Sequence, residues 1–269
     1  QTGFDIDSFL APDGRYVASA SSDRTLRLWD LQNQQEKPFV WDLKDSRVLC
    51  VAYSQDGRHI AACTVHGGVF LIDTKTMEYR KLGSQPDGVE SVTFLADGDW
   101  LATGDRGATI HLWPVTAGAS QENSMSEKKI MPYWIAHSDR VQALAVSTGS
   151  NLLVSGGLDG VINMWTPNPQ SAEWKIATPG LNVTEMAIGK NSQLYLADKD
   201  IIQYDLARRE GTSAFTTPQP RWMSIGTSKD GRRMAATDRR TLNMFDLESQ
   251  QLMQSWPISP ELDDPQMAM

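Results

Sequence analysis

The chain has 269 residues, with 25 basic against 33 acidic side chains and a formal net charge of −8. Hydrophobic residues at 40% and charged residues at 22% make an ordinary globular balance that excludes wholesale disorder, and no apolar run approaches the roughly 18 residues of a membrane-crossing helix. The acidic balance argues against nucleic-acid affinity, which needs a basic footprint, and two cysteines exclude a disulfide scaffold and point to a reducing, cytoplasmic compartment.

The first residues, Gln1-Thr2-Gly3-Phe4-Asp5, hold neither an initiator Met nor a basic segment followed by an apolar one. Excision or processing from a longer chain is therefore expected. One unit then recurs six times. The first has an Asp13-Gly14 turn, a strand through Ser19, a second turn at Asp23, the strand Thr25-Leu26-Arg27-Leu28-Trp29-Asp30, and an outer strand at 37–41. The second carries Asp56-Gly57 and ends at Val69-Phe70-Leu71-Ile72-Asp73; the third carries Asp97-Gly98 and ends at Ile110-His111-Leu112-Trp113. A small, polar stretch, 114–129, follows as an insertion, and loops of this length are commonly functional or disordered. The fourth unit runs from Asn151 to Trp165, the fifth is degenerate and ends Tyr204-Asp205-Leu206, and the sixth carries Asp230-Gly231 and ends Met244-Phe245-Asp246. The acidic, Pro-containing stretch 259–269 reads as a flexible tail.

The terminal aromatic or its equivalent falls at 29, 72, 113, 165, 204 and 245, with spacings of 43, 41, 52, 39 and 41. A period of about 40–45 with an aromatic–Asp ending is that of a four-stranded propeller blade. Asp-Gly sets a tight turn because Gly reaches positive φ without a Cβ clash. Adjacent Leu and Trp on the third strand point to opposite faces, so both faces of each sheet are apolar, as radial stacking of sheets demands. The predicted blades span about 5–41, 48–82, 89–135, 141–176, 183–215 and 222–258, and no window has helical periodicity.

These residues resemble the WD-repeat β-propellers, specifically in units 1 and 4, fairly in 2, 3 and 6, and weakly in 5. The resemblance covers about residues 5–258. Family members commonly close seven blades. Six are expected within these residues, with a seventh outside them as the alternative.

The resemblance implies a structural hydrogen-bond network in unit 4, made by His137, Ser155, Asp159 and Trp165. The same residue types invite a nucleophilic triad, but a blade-fixing network accounts for them better. Unit 1 keeps Ser19, Asp23 and Trp29 without a His, and units 2 and 6 have His66 and Arg239 at the Asp position, so packing is expected to carry more of their stability. The four histidines fall in separate strands with no metal-ligand spacing, and neither a phosphate loop nor a dinucleotide fingerprint occurs. Gly67-Gly68 and Gly156-Gly157 sit at turns. No metal or cofactor is expected. Cys50 and Cys63 are symmetric about the Asp56-Gly57 turn and should face each other, as buried apolar side chains or as a reactive pair.

One rim gathers the turns between second and third strands and the loops entering the inner strands. It is expected to carry Arg24, Arg47, Arg106, Arg140, Lys199, Arg221, Arg239 and Arg240. Arg clusters grip carboxylates and phosphates through bidentate hydrogen bonds. Against that stands the reading of solvated turn residues paired with the Asp that precedes four of them.

The resemblance implies a non-catalytic protein-interaction scaffold, part of a larger regulatory or signalling protein. Its partner would be a protein or peptide, acidic or phosphorylated, rather than nucleic acid or membrane. An anion or small-ligand sensor using the Arg-bearing rim is the alternative. A propeller-fold enzyme would need converging acid–base or metal groups, and the sequence has none.

Overall fold

In the computed structural model, residues 5–33, 37–115, 133–147, 152–165, 174–177, 183, 185–189, 193–197, 201–205, 210–215, 224–228, 231–237 and 241–257 are described. Their regular structure is entirely β, in six sheets of four antiparallel strands, each ordered along the chain. The chain is an all-β propeller of six four-stranded blades, and it divides into two compact units, 1–183 and 184–269.

The first unit holds four blades. Blade 1 is β1 (Asp5–Leu10), β2 (Tyr16–Ser21), β3 (Thr25–Asp30) and β4 (Phe39–Asp42). Blade 2 is β5 (Val48–Tyr53), β6 (His59–Thr64), β7 (Gly68–Asp73) and β8 (Tyr79–Ser84). Blade 3 is β9 (Val89–Phe94), β10 (Trp100–Asp105), β11 (Thr109–Pro114) and β12 (Tyr133–Ile135). Blade 4 is β13 (Val141–Ser147), β14 (Leu152–Gly157), β15 (Val161–Trp165) and β16 (Trp174–Ala177). The inner strands β1, β5, β9 and β13 pack against one another in that order.

The second unit holds two blades. Blade 5 is β17 (Glu185–Ile188), β18 (Gln193–Ala197), β19 (Ile201–Asp205) and β20 (Glu210–Phe215). Blade 6 is β21 (Ser224–Thr227), β22 (Arg233–Thr237), β23 (Thr241–Asp246) and β24 (Gln251–Pro257). A layer including Tyr195, Ile201, Met234 and Phe245 packs the two together.

Strict alternation explains how each sheet serves two neighbours. In blade 2, Val51, Tyr53, Ile60, Ala62, Phe70 and Ile72 pack toward blade 1, while Cys50, Ala52, Ala61, Cys63, Val69 and Leu71 pack toward blade 3. The core is thus a series of layers between blades. Each fully buried Ile or Leu in them stabilises the fold by about 1.5–3 kcal/mol. Polar ties cross the layers as well. The Val51 N–H donates to Asp7 Oδ2 at 2.9 Å, and the Trp41 indole N–H donates to the Met77 carbonyl at 2.9 Å.

The Asp-Gly turns take the expected form. Gly14, Gly57, Gly98 and Gly231 have φ of 71°, 71°, 75° and 62°. Asp13, Asp56 and Asp97 each accept the N–H two residues on, at 2.9 to 3.0 Å. Cys50 and Cys63 are direct partners across β5 and β6, both buried and neither in a disulfide. The expected insertion, apart from Pro114 and Val115, and the tail at 259–269 lie outside the described residues.

Candidate functional site

Blade 4 brings its four residues into one chain of hydrogen bonds. The Trp165 indole N–H donates to Ser155 Oγ at 2.9 Å, Ser155 Oγ lies 2.8 Å from His137 Nε2, and His137 Nδ1 lies 3.0 Å from Asp159 Oδ1. One proton arrangement satisfies every member: Ser155 donates to an unprotonated Nε2, and Nδ1–H donates to the carboxylate. Burial opposes ionisation of Asp159 and is its largest influence, yet the Ser138 N–H, His137 and the Val161 N–H together hold its carboxyl below the usual carboxylate range. The connectivity matches a nucleophilic triad, but Ser155 is 0% exposed and the His137 ring is sealed. No substrate carbonyl can reach that hydroxyl.

Blade 3 contains an equivalent chain that the sequence reading missed. The Trp113 N–H donates to Thr103 Oγ1 at 2.8 Å, the Thr103 hydroxyl to Gln85 Oε1 at 2.7 Å, and Gln85 Nε2 to Asp105 Oδ2 at 3.2 Å. An amide offers an acceptor and a donor in the places where imidazole offers Nε2 and Nδ1–H. Asp105 is 1% exposed, and burial opposes its ionisation most, but His111 and Thr109 still hold it below the usual range. One sequence signal could have found this blade. The Ser or Thr lies ten residues before the Trp in blades 1, 3 and 4 alike.

Blades 1 and 2 depart further. In blade 1 the Trp29 N–H donates to Ser19 Oγ at 2.9 Å, and Asp23 is bound by Thr25 and by the Arg27 guanidinium in place of a His. In blade 2 the Ser and Trp positions are Ala62 and Ile72, both fully buried, so packing does replace that half of the network. The carboxylate, however, is supplied from the loop before β5. Asp45 accepts from Ser46, Thr64 and Lys81 at 3.0, 3.1 and 2.8 Å. Burial is again the largest influence on Asp45, outweighed by those three donors. His66, at the expected Asp position, is exposed and donates its backbone N–H to Ser46 Oγ. In blade 6, Arg239 lies outside the described residues.

The rim of the first unit is one hydrogen-bonded surface. The Leu43 N–H donates to the Arg24 carbonyl, Val65 to Arg47, Arg106 to Gly88 and Leu158 to Arg140, so each turn between second and third strands is tied to a loop entering an inner strand. Arg24, Arg47, Arg106 and Arg140 are all exposed on it. The expected pairing of each Arg with its preceding Asp does not occur at three of these turns. Asp23 binds Arg27 rather than Arg24, Asp105 is buried in the blade 3 network while Arg106 pairs with Glu90, and Asp139 accepts the backbone N–H of Arg140 rather than its guanidinium. Asp23 and Asp105 are drawn inward by their networks, while Asp139 is exposed. Lys199, Arg221, Arg239 and Arg240 lie outside the described residues, as does the Asp238–Arg239 pair. Among the described residues no cluster of His, Cys, Asp and Glu could hold a metal ion.

The model of the WD domain, G-beta repeat, matches residues 4–30, 38–73, 78–114 and 129–166. The chain is similar to the Protein LST8 homolog of Drosophila melanogaster, 23% identical over 165 residues that make up 61% of this chain and 51% of the fly protein. It is similar to the NACHT domain- and WD repeat-containing protein 1 of Mus musculus, 26% identical over 202 residues, 69% of this chain and 12% of that protein. It is also similar to the meiotic recombination protein rec14 of Schizosaccharomyces pombe, 31% identical over 112 residues, 41% of this chain and 37% of that protein. The chain spans about half the length of the fly protein and less of the others. Four matched repeats and the blades they fold into make this chain a member of the WD-repeat family.

Proposed function

We propose that this propeller is a non-catalytic recognition module of a larger regulatory or signalling protein, binding a protein or peptide on the rim that carries Arg24, Arg47, Arg106 and Arg140. WD-repeat propellers generally serve as protein-interaction scaffolds. The observation that carries the reading is on the rim itself: Arg24, Arg47 and Arg140 are exposed and make no ion pair among the described residues, on turns and loops tied together by backbone hydrogen bonds. A backbone already fixed leaves only side-chain freedom to be lost on binding. Acidic or phosphorylated segments fit these donors, and the two buried thiols suit a cytoplasmic setting. Lys199, Arg221, Arg239 and Arg240 belong to the proposed set by sequence position alone.

The test is affinity capture from lysate with the wild type, with Arg24→Glu/Arg106→Glu/Arg140→Glu, and with Arg58→Glu/Lys75→Glu on the opposite rim. The reading expects specific partners to be lost with the first variant and kept with the second; identical capture by all three removes it. The same exposed guanidiniums favour a second reading, an anion or small-ligand sensor. That reading expects a thermal shift with phosphorylated metabolites and no stable protein partner.

A further inference from the structure

The rim of the first unit is electrostatically divided. On blades 1 and 2, Arg24, Lys44, Arg47 and His66 are exposed. They form one continuous strip, because the Leu43 N–H meets the Arg24 carbonyl at 3.3 Å, the Val65 N–H meets the Arg47 carbonyl at 3.0 Å, and the His66 N–H meets Ser46 Oγ at 3.1 Å. Their acidic neighbours point elsewhere. Asp23 is taken by Thr25 and Arg27, and Asp45 by Ser46, Thr64 and Lys81. The exposed carboxylate among them, Asp42, caps the Lys44 N–H at 3.0 Å. Asp23 and Asp45 are thus drawn inward and away from the exposed bases, which leaves three exposed cations, Arg24, Lys44 and Arg47, against Asp42.

Blades 3 and 4 are different. Arg106 is paired with half-buried Glu90, Asp87 is exposed beside Gly107, and Arg140 stands next to exposed Asp139. There the cations are matched or outnumbered. The whole chain is also acidic, at −8.

We infer that the anion-binding site is the blade 1–blade 2 sector alone, and that its ligand is a short acidic peptide segment whose carboxylate or phosphoryl groups bridge Arg24, Lys44 and Arg47, with His66 adding a hydrogen bond. This rests on reading the rim as the binding face. A peptide suits the sector better than a nucleic acid. A phosphate polymer lying across the rim would run from three exposed cations onto Asp87 and Asp139, where like charge repels it, whereas a peptide can confine its negative charge to the sector. Arg24 supports the assignment from the backbone. The same turn position is Gly67 in blade 2 and Gly160 in blade 4, at φ 86° and 70°, yet blade 1 keeps a long cationic side chain there at φ 74°.

The experiment measures fluorescence anisotropy of three labelled peptides, alternating Glu/Ser, the same sequence with phosphoserines, and Lys/Ser, with single-stranded oligo-dT as competitor. The proteins are the whole chain as wild type, Arg24→Glu/Arg47→Glu, and Arg106→Glu/Arg140→Glu, each checked for an unchanged unfolding midpoint. If the first variant unfolds, Arg24→Gln/Arg47→Gln replaces it. The expected result is binding of an acidic peptide that weakens more than about tenfold in the blade 1–2 variant, weakens with salt, and weakens by at most about threefold in the blade 3–4 variant, where only the long-range charge changes. Preference for phosphoserine assigns a phosphoryl source, and equal binding of both assigns carboxylates; either supports the sector. Equal loss in both variants overturns the sector and leaves the rim reading standing. Acidic-peptide binding unchanged in both removes the rim as well. No acidic-peptide binding, or displacement by oligo-dT at equal charge, overturns the inference.

Discussion

Gln85 holds Thr103 as His137 holds Ser155: each places an acceptor within 2.8 Å of the hydroxyl that a Trp indole also engages, and each turns a second nitrogen toward a carboxylate. The two blades use different chemistry to close the same circuit. Replacing Gln85 by His should therefore keep most of the stability. Gln85→Leu takes the acceptor from the buried Thr103 hydroxyl and one of the donors from Asp105, and should cost about 1–3 kcal/mol. Urea unfolding of the three proteins checks the order.

Asp159→Ala should also destabilise by about 1–3 kcal/mol, because it leaves His137 Nδ1 and the Ser138 and Val161 N–H groups without their acceptor. A variant as stable as the wild type in chemical denaturation would contradict this account of blade 4.

Acid should unpick these networks. Asp105 in the folded chain holds its proton more weakly than in the unfolded chain, so its ionic contribution is complete well above the ordinary carboxylate value of about 3.9 and disappears as pH falls through the lower folded value. The stability difference between wild type and Asp105→Asn should be constant above about pH 5 and shrink below about pH 4. Unfolding free energies measured from neutral to acid pH test it; a difference that grows on acidification would reverse the sign.

A methyl group at Gly83 would lie 2.6 Å from Cζ3 of Trp113 in the neighbouring blade. That ring is fixed by its bond to Thr103, so it cannot swing aside freely. Gly83→Ala should cost about 1–3 kcal/mol through overpacking, visible as a lower unfolding midpoint and altered Trp fluorescence.

Arg24 holds φ at 74°, a region costly for any side chain with a Cβ. Arg24→Gly should raise stability by up to about 1 kcal/mol, and the reverse change, Gly160→Arg, should lower it by a similar amount. Paired denaturation curves test both.

The blades were legible in the sequence because their signals are short in range. The Asp-Gly turns and the aromatic endings recur at nearly fixed spacing, and period-two alternation assigns each side chain to a neighbour. The blade 4 network was legible through its resemblance. Blade 3 was hidden for two reasons: Asp105 precedes the usual turn position by two residues, and an amide stands where a His was sought. The charge pattern of the rim was hidden more deeply. Asp23-Arg24 and Asp105-Arg106 read alike in sequence, but only strand register reveals that Arg27 reaches Asp23 and that Glu90 reaches Arg106.

The opposed thiols of Cys50 and Cys63, 5% and 0% exposed, lie in the layer between blades 2 and 3. A thiol reagent can modify them only after that layer parts. Their labelling rate is consequently an internal clock for sub-global opening, and comparing it between Gly83→Ala and wild type would report how tightly the two blades are held without unfolding the rest of the chain.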